Sequence, residues 1–180
     1  MSKNIVILNG SPRKHGNTAT LCDAFVEGAE AAGNHVTRFD LQTMNIHGCL
    51  GCMKGGKDPQ SPCVQKDDMA AILDRLVEAD VIVMATPVYF YTMSAQMKTL
   101  IDRTVPRYTE ISGKEFYFIA TAADGNKKAL ERTIDGFRGF TDCLDGVQEK
   151  GVILASGVWK KGEVTGNAAM EEAFNMGRNA

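Results

Sequence analysis

The chain has 180 residues, enough for one domain with a sizeable core, and a formal net charge of −2. Its 20 Lys and Arg are scattered among 22 Asp and Glu, and without a basic patch no nucleic-acid partner is expected. The longest apolar stretch, residues 81–91, is broken by Thr86 and Pro87 and falls far short of the ~20 residues that span a bilayer, so no membrane span is expected.

A short apolar run over residues 3–9 predicts the first strand. It begins within a few residues of the first, so no signal peptide is expected. Five cysteines, an odd number, then point to reduced thiols in a cytoplasmic protein rather than a disulfide framework. The strand breaks into Gly10-Ser11-Pro12-Arg13-Lys14-His15-Gly16-Asn17-Thr18, and a helical pattern starts at about Asn17. Strand, small polar loop and helix N-terminus together make an anion site, because free N–H groups and the positive helix end face the loop. Ser11 and Thr18 offer hydroxyls, Asn17 an amide, and Arg13 a planar charged fork.

The dinucleotide fingerprint fails here, since Pro12 replaces its second glycine. The triphosphate loop fails too: Gly10 to Gly16 is one residue too long, and Asn17 stands where its lysine belongs. A terminal monophosphate remains. The alternative is a solvated turn whose Asn17 or Thr18 merely caps the helix, which would not require Ser11, Arg13 and Asn17 together.

Further on, Leu21, Phe25, Ala29 and Ala32 line one face of a helix from 17 to about 33, stopped by Gly33-Asn34. Residues 35–41 alternate as an edge-like strand. Residues 42–66 are irregular, rich in Gly, Pro and Cys, and too long for an idle connection. Asp67-Asp68 opens a helix with Met69, Ile72, Leu73, Leu76 and Val77 inward. Residues 81–85 read as a strand buried on both faces. A helix over about 94–105 follows, with Met97 read as core and Asp102 and Arg103 as a structural pair near its end. A fourth strand is predicted over 115–121, then a helix to about 143. The fifth strand falls within 147–159 and the last helix over 168–176.

Strands alternating with helices five times require right-handed crossovers and a parallel sheet covered on both faces. The expectation is an α/β flavodoxin-like three-layer fold, one domain over residues 1–180, with five strands in the order 2-1-3-4-5. Ligands then bind outside the carboxyl ends of strands one, three and four. Two further loops sit there. Pro87-Val88-Tyr89-Phe90-Tyr91 concentrates aromatics, and Ala122-Ala123-Asp124-Gly125-Asn126 is small and polar. The aromatics could equally plug the sheet end or form a subunit contact.

The first loop resembles the G-S-P-R-x-x-G-N-T loop of the flavodoxin-like NAD(P)H-dependent FMN reductases. The segment from Thr86 through Met93, Met97, Lys98, Ile101, Asp102 and Arg103 resembles that family's T-P-[VI]-Y loop and the helix after it. The resemblance implies FMN as cofactor. Ser11, Arg13, Asn17 and Thr18 would hold its phosphate; Pro87, Val88, Tyr89, Phe90, Ala122, Ala123 and Asp124 would border its ring. It implies an oxidoreductase passing electrons from NAD(P)H to a small acceptor (quinone, nitro compound, flavin or metal) by ping-pong exchange, with no protein acid or base required. Homodimer or homotetramer assembly is expected. An electron-transfer flavoprotein or an FMN-binding regulatory module stays open as the alternative.

Residues 42–66 also hold Cys49-Leu50-Gly51-Cys52 and Cys63, with His47 just before. Two thiols at this spacing ligate metal or act as a redox pair. The iron–sulfur flavoproteins, a branch of the same superfamily, resemble this stretch through a C-x-G-C-x-x-C run and an I-x-D-D-M segment. This chain matches at Cys49, Gly51, Cys52, Cys63, Asp67, Asp68 and Met69 but has Gly55 at the third cysteine. A zinc site from His47 and the three thiols, a redox pair, and a leftover or reactive-thiol loop are the other readings; the expectation is no bound metal.

Overall fold

The computed structural model describes residues 2–56 and 63–180. Residues 57–62, part of the predicted irregular stretch, lie outside the described residues. Five parallel strands, β1 (Asn4–Asn9), β2 (His35–Asp40), β3 (Val81–Pro87), β4 (Glu115–Thr121) and β5 (Gln148–Ala155), form one sheet. Their order is β2-β1-β3-β4-β5, as the alternation required. The helices are α1 (Asn17–Ala31), α2 (Met69–Glu78), α3 (Ala95–Arg103), α4 (Lys128–Thr141) and α5 (Ala169–Asn179). None of the described helices is long and apolar enough to cross a membrane.

The strand period of two divides the core. Val6, Leu8, Ile82, Met84, Phe116 and Phe118 point to the face covered by α2, α3 and α4. Ile5, Ile7, Val81, Val83, Tyr117 and Ile119 point to the face covered by α1 and α5. Both faces are therefore dry, which is why β1 and β3 read as unbroken apolar runs. β2 alternates exposed and half-buried positions as an edge strand does. Met97 is fully buried, in line with its core reading.

Element ends move by a few residues. β3 runs on to Pro87, because its last pairs are with Ala120 and Thr121 of β4. Ser94 stands outside α3 as its cap and accepts from the Met97 N–H at 3.3 Å. α5 continues to Asn179, since Gly177 packs it against α1.

The expected pairing of Asp102 with Arg103 is not formed. On a helix adjacent side chains point about 100° apart, so Asp102 meets Lys98 one turn back at 2.5 Å. Arg103 turns inward, is 1% exposed, and grips Asp67 through two hydrogen bonds of 2.6 and 2.8 Å. The guanidinium holds the Asp67 carboxyl down to about 2. A third bond, from Arg103 Nη1 to the His47 carbonyl at 2.7 Å, fastens the cysteine-rich stretch to the end of α3.

α1 and α5 approach so closely that two glycines are obligatory. A Cβ at Gly28 would lie 2.0 Å from the Phe174 carbonyl oxygen, and one at Gly177 would lie 2.1 Å from that of Phe25. Gly139, on α4, faces open space instead. Gly28→Ala is expected to lower stability by about 1–3 kcal/mol through overpacking. Gly139→Ala should raise it by up to about 1 kcal/mol through helix propensity. Urea unfolding of the two variants checks both signs.

Candidate functional site

The loops after β1, β3, β4 and β5 meet around one cavity of about 290 Å³. Its floor is residues 10–18. The Gly10 N–H donates to Ala85 O at 2.8 Å, and Gly10 O accepts from Ser94 Oγ at 2.7 Å, so this loop is locked to the end of β3. Asn9 accepts from the Ser11 N–H at 3.1 Å and donates to Asp40 at 2.7 Å, tying the same loop to β2. The loop then folds tightly over itself. Ser11 Oγ accepts from the Arg13 N–H at 3.2 Å, and a Cβ at Gly16 would lie 2.9 Å from the Arg13 Cβ and 3.4 Å from Ser11 Oγ.

Gly16 is the N-cap of α1, with no side chain to offer, and no side chain caps this helix end. The first free helical N–H groups are thus left facing the cavity floor beside the Ser11 hydroxyl. Thr18 Oγ1 lies 2.7 Å from Thr121 Oγ1, joining the start of α1 to the end of β4. A small anion is what such a floor accommodates, with the dipole of α1 adding to it.

Nine of the sequence-derived residues line this cavity: Ser11, Arg13, Asn17, Thr18, Pro87, Val88, Tyr89, Phe90 and Ala123. Ala122 and Asp124 do not. Ala122 is buried, its N–H donating to Ala155 O and its carbonyl accepting from Val158 N–H, both at 2.9 Å. Asp124 O accepts from the Gly157 N–H at 2.8 Å, and its carboxylate accepts from the Asn126 N–H at 2.8 Å. These two brace the wall from behind.

Asn17 faces the cavity, yet its amide serves another loop. Nδ2 donates to Lys160 O at 2.9 Å, while Oδ1 accepts from Gly162 N–H at 3.1 Å and Val164 N–H at 3.4 Å. What Asn17 brings to the cavity is its backbone N–H and the loop it holds. That loop supplies the wall missed by sequence reasoning, Val158 and Trp159. Arg13 Nη1 donates to Trp159 O at 2.8 Å, and the Glu163 carboxylate accepts from the N–H groups of Trp159 and Lys160 at 2.6 and 2.8 Å. The Lys160 and Trp159 amides hold that carboxyl below its usual range. The one signal available was Trp159 itself, the chain's single tryptophan, placed just after the fifth strand.

Across the cavity, Tyr89 and Thr92 exchange two backbone bonds of 2.9 and 3.1 Å around Phe90 and Tyr91. Both central residues have positive φ, +49° and +63°, which is a type I′ turn, a place usually filled by Asn-Gly. Bulky side chains there cost roughly 1–2 kcal/mol each. The turn holds Phe90 at 99% exposure on the rim, opposite a largely exposed Trp159. No carboxylate, histidine, lysine or cysteine is among the lining residues. The arrangement binds an anionic group at its floor and a flat, apolar body between its walls.

The family model of NADPH-dependent FMN reductases matches residues 3–146. An iron-sulfur flavoprotein of Archaeoglobus fulgidus is 39% identical over 97 residues, covering 54% of this chain and 43% of that one. The chain spans about half the length of the first curated relatives it matches. An iron-sulfur flavoprotein of Methanosarcina thermophila is 29% identical over 171 residues, covering 94% of this chain and 85% of its own. Among solved structures, an NAD(P)H:quinone oxidoreductase from Methanothermobacter marburgensis superposes with a TM-score of 0.72 at 18% identity. It covers 99% of this chain and 97% of that one, and shares the fold.

The floor fits the phosphate that the family name implies. The cysteine-rich stretch does not fit an iron–sulfur cluster in the same way. Three thiols are described there, one short of the usual four thiolates. At the position of the missing one, a Cβ on Gly55 would press to 3.2 Å from the Cα of Pro106. Among the described residues no three His, Cys, Asp or Glu side chains are grouped to hold a metal ion.

The strained turn generates a direct expectation. Phe90→Gly should raise stability by about 1 kcal/mol, because glycine adopts positive φ without a steric cost. Chemical denaturation checks it through a higher midpoint at unchanged slope. An unchanged midpoint would show that the turn stores no strain.

Proposed function

The chain belongs to the NADPH-dependent FMN reductase family, and from that premise we propose that it carries electrons from NAD(P)H through bound FMN to a small acceptor such as a quinone, nitro compound, flavin or metal ion. The observation that carries this reading is the uncapped start of α1 at the floor of a cavity walled by aromatic and apolar groups. FMN, when bound, supplies the hydride chemistry that side chains cannot. That matches a lining without a carboxylate, histidine, lysine or cysteine.

Each lining residue then has a role. Ser11 and Thr18 hydroxyls, the free N–H groups at the start of α1, and Arg13 hold the phosphate. Arg13 is itself steadied by its bond to Trp159 O. Pro87, Val88, Tyr89 and Ala123 border the ring, with Ala122 and Asp124 supporting that wall. Nicotinamide and acceptor enter in turn past the exposed rim of Phe90 and Trp159, the ping-pong order. The exposed rings of Tyr89, Phe90, Tyr91 and Trp159 add apolar surface around that opening, which supports a homodimer or homotetramer covering it.

Stopped-flow mixing of FMN-loaded protein with NADH and with NADPH tests the reading. Rapid bleaching of the flavin band is expected. Slow bleaching by both nucleotides, with fast bleaching by a redox protein, would make the chain an electron carrier; no bleaching by either would leave a flavin-binding module. Arg13→Ala should weaken FMN binding by about 1.5–3 kcal/mol, the range for a charge-assisted hydrogen bond. An unchanged titration would remove Arg13 from the phosphate site. Sedimentation across micromolar concentrations should show a dimer or larger; a monomer throughout would overturn the assembly.

A further inference from the structure

Three of the five cysteines, Cys49, Cys52 and Cys63, line a second cavity of about 180 Å³. Its other walls include Leu50, Met53, Val105 and Pro106, and Arg103 lies at its base. α3 begins beside the first cavity and carries Arg103 at its far end, roughly 12 Å away at 1.5 Å per residue. The two cavities are therefore separate.

Cys63 is the half-buried thiol of the three, and its Sγ accepts from Arg103 Nη2 at 3.6 Å. That guanidinium is fixed by Asp67 and the His47 carbonyl. Among the described residues, its buried Nε has no hydrogen-bond partner. This donor belongs to a side chain that is 1% exposed, and a buried polar atom left unpaired calls for an explanation. Cys49 and Cys52 are exposed and share the wall of this one cavity with Cys63. The remaining thiols are placed elsewhere. Cys22 is sealed in the core, where burial pushes its thiol up to about 12, and Cys143 donates to Gly139 O at 3.5 Å in a neighbouring groove.

We propose that Cys63 is a peroxide-reactive thiol, with Arg103 as its positioning residue and a thiol of the Cys49–Cys52 pair as its resolving partner. The cavity is small and largely apolar, which admits hydrogen peroxide, a small neutral oxidant, and excludes bulky disulfides. The Cys63 thiolate attacks one peroxide oxygen, the O–O bond breaks, and the leaving hydroxide takes a proton and departs as water. Cys63 is left as a sulfenic acid. The thiol of Cys49 or Cys52 then attacks that sulfur. An S–S bond forms, the S–O bond breaks, and a second water leaves. Two thiols lose two electrons in total, and peroxide gains them. The same chemistry gives a role to three thiols whose donor set does not complete a cluster.

The test treats the full chain, reduced and freed of reductant, with stoichiometric hydrogen peroxide. Alkylation and peptide mass mapping then follow. The expected result is loss of two alkylatable thiols, with a disulfide from Cys63 to Cys49 or Cys52, and Cys22 and Cys143 still alkylated. Cys63→Ser should abolish the disulfide and leave Cys49 and Cys52 alkylated. Cys143→Ser should change nothing. Arg103→Lys should slow thiol loss at least tenfold, with a circular dichroism spectrum and urea midpoint reporting whether it folds. If it does not fold, the rate in Cys63→Ser against the native chain decides alone. A Cys49–Cys52 disulfide formed equally well without Cys63 would overturn the assignment. So would full alkylation after peroxide, or anaerobic reconstitution giving near four irons per chain, since the thiols would then be ligands.

Discussion

The site depends on one close approach. Gly10 sits where β1 ends, and a Cβ there would lie 2.9 Å from Ser94 Oγ and 3.0 Å from Met97 Cβ. Only a bare backbone lets the first loop lie flat against the start of α3. From that contact Ser94 does three things: its hydroxyl accepts at the head of α3 and donates to Gly10 O, and its N–H donates to the Thr86 hydroxyl oxygen at 2.9 Å. The ends of β1 and β3 are thus fixed to each other before any ligand arrives. The Thr18–Thr121 contact brings in β4, and Asn17 brings in the loop after β5. A parallel sheet places these loops at one end; the buried polar contacts fix their spacing.

The two cavities use different physics. In the first, the floor is rigid and the rim is strained: buried hydroxyls and amides lock residues 10–18, while Phe90 and Tyr91 are held at positive φ above them. Strain of that kind persists only where surrounding bonds over-determine the backbone, here the paired bonds of Tyr89 and Thr92. In the second, rigidity lies in a buried ion pair. Arg103 and Asp67 are each 1% exposed as side chains, and removing either partner would strand the other's charge. That pair holds α3, the start of α2 and the carbonyl of His47 in one place.

Sequence patterns revealed the sheet order and most of the floor, because both follow from short-range rules. Apolar runs such as 81–85 announce strands buried on both faces. Gly10, Gly16 and the polar residues between them announce a strand-to-helix anion loop. What could not be read was any choice among long-range partners. Asn17 looked like a phosphate ligand because its amide suits one, yet the 160–164 loop competes for it. Arg103 looked paired with its neighbour Asp102, but helix geometry sent it to Asp67, 36 residues away. Trp159 carried no motif, and only the fold brings it over Arg13. Ala122 and Asp124 lie outside the cavity lining, since loop periodicity does not say which side of a turn faces inward.

Gly55 has a consequence for engineering. A Cβ at this position would lie 3.2 Å from the Cα of Pro106, so the neighbouring backbone must give by a few tenths of an ångström to admit any side chain. A cysteine placed here to supply a fourth thiolate would meet Pro106 rather than an open socket. Building a cluster site into this stretch therefore calls for a change at Pro106 as well as at Gly55.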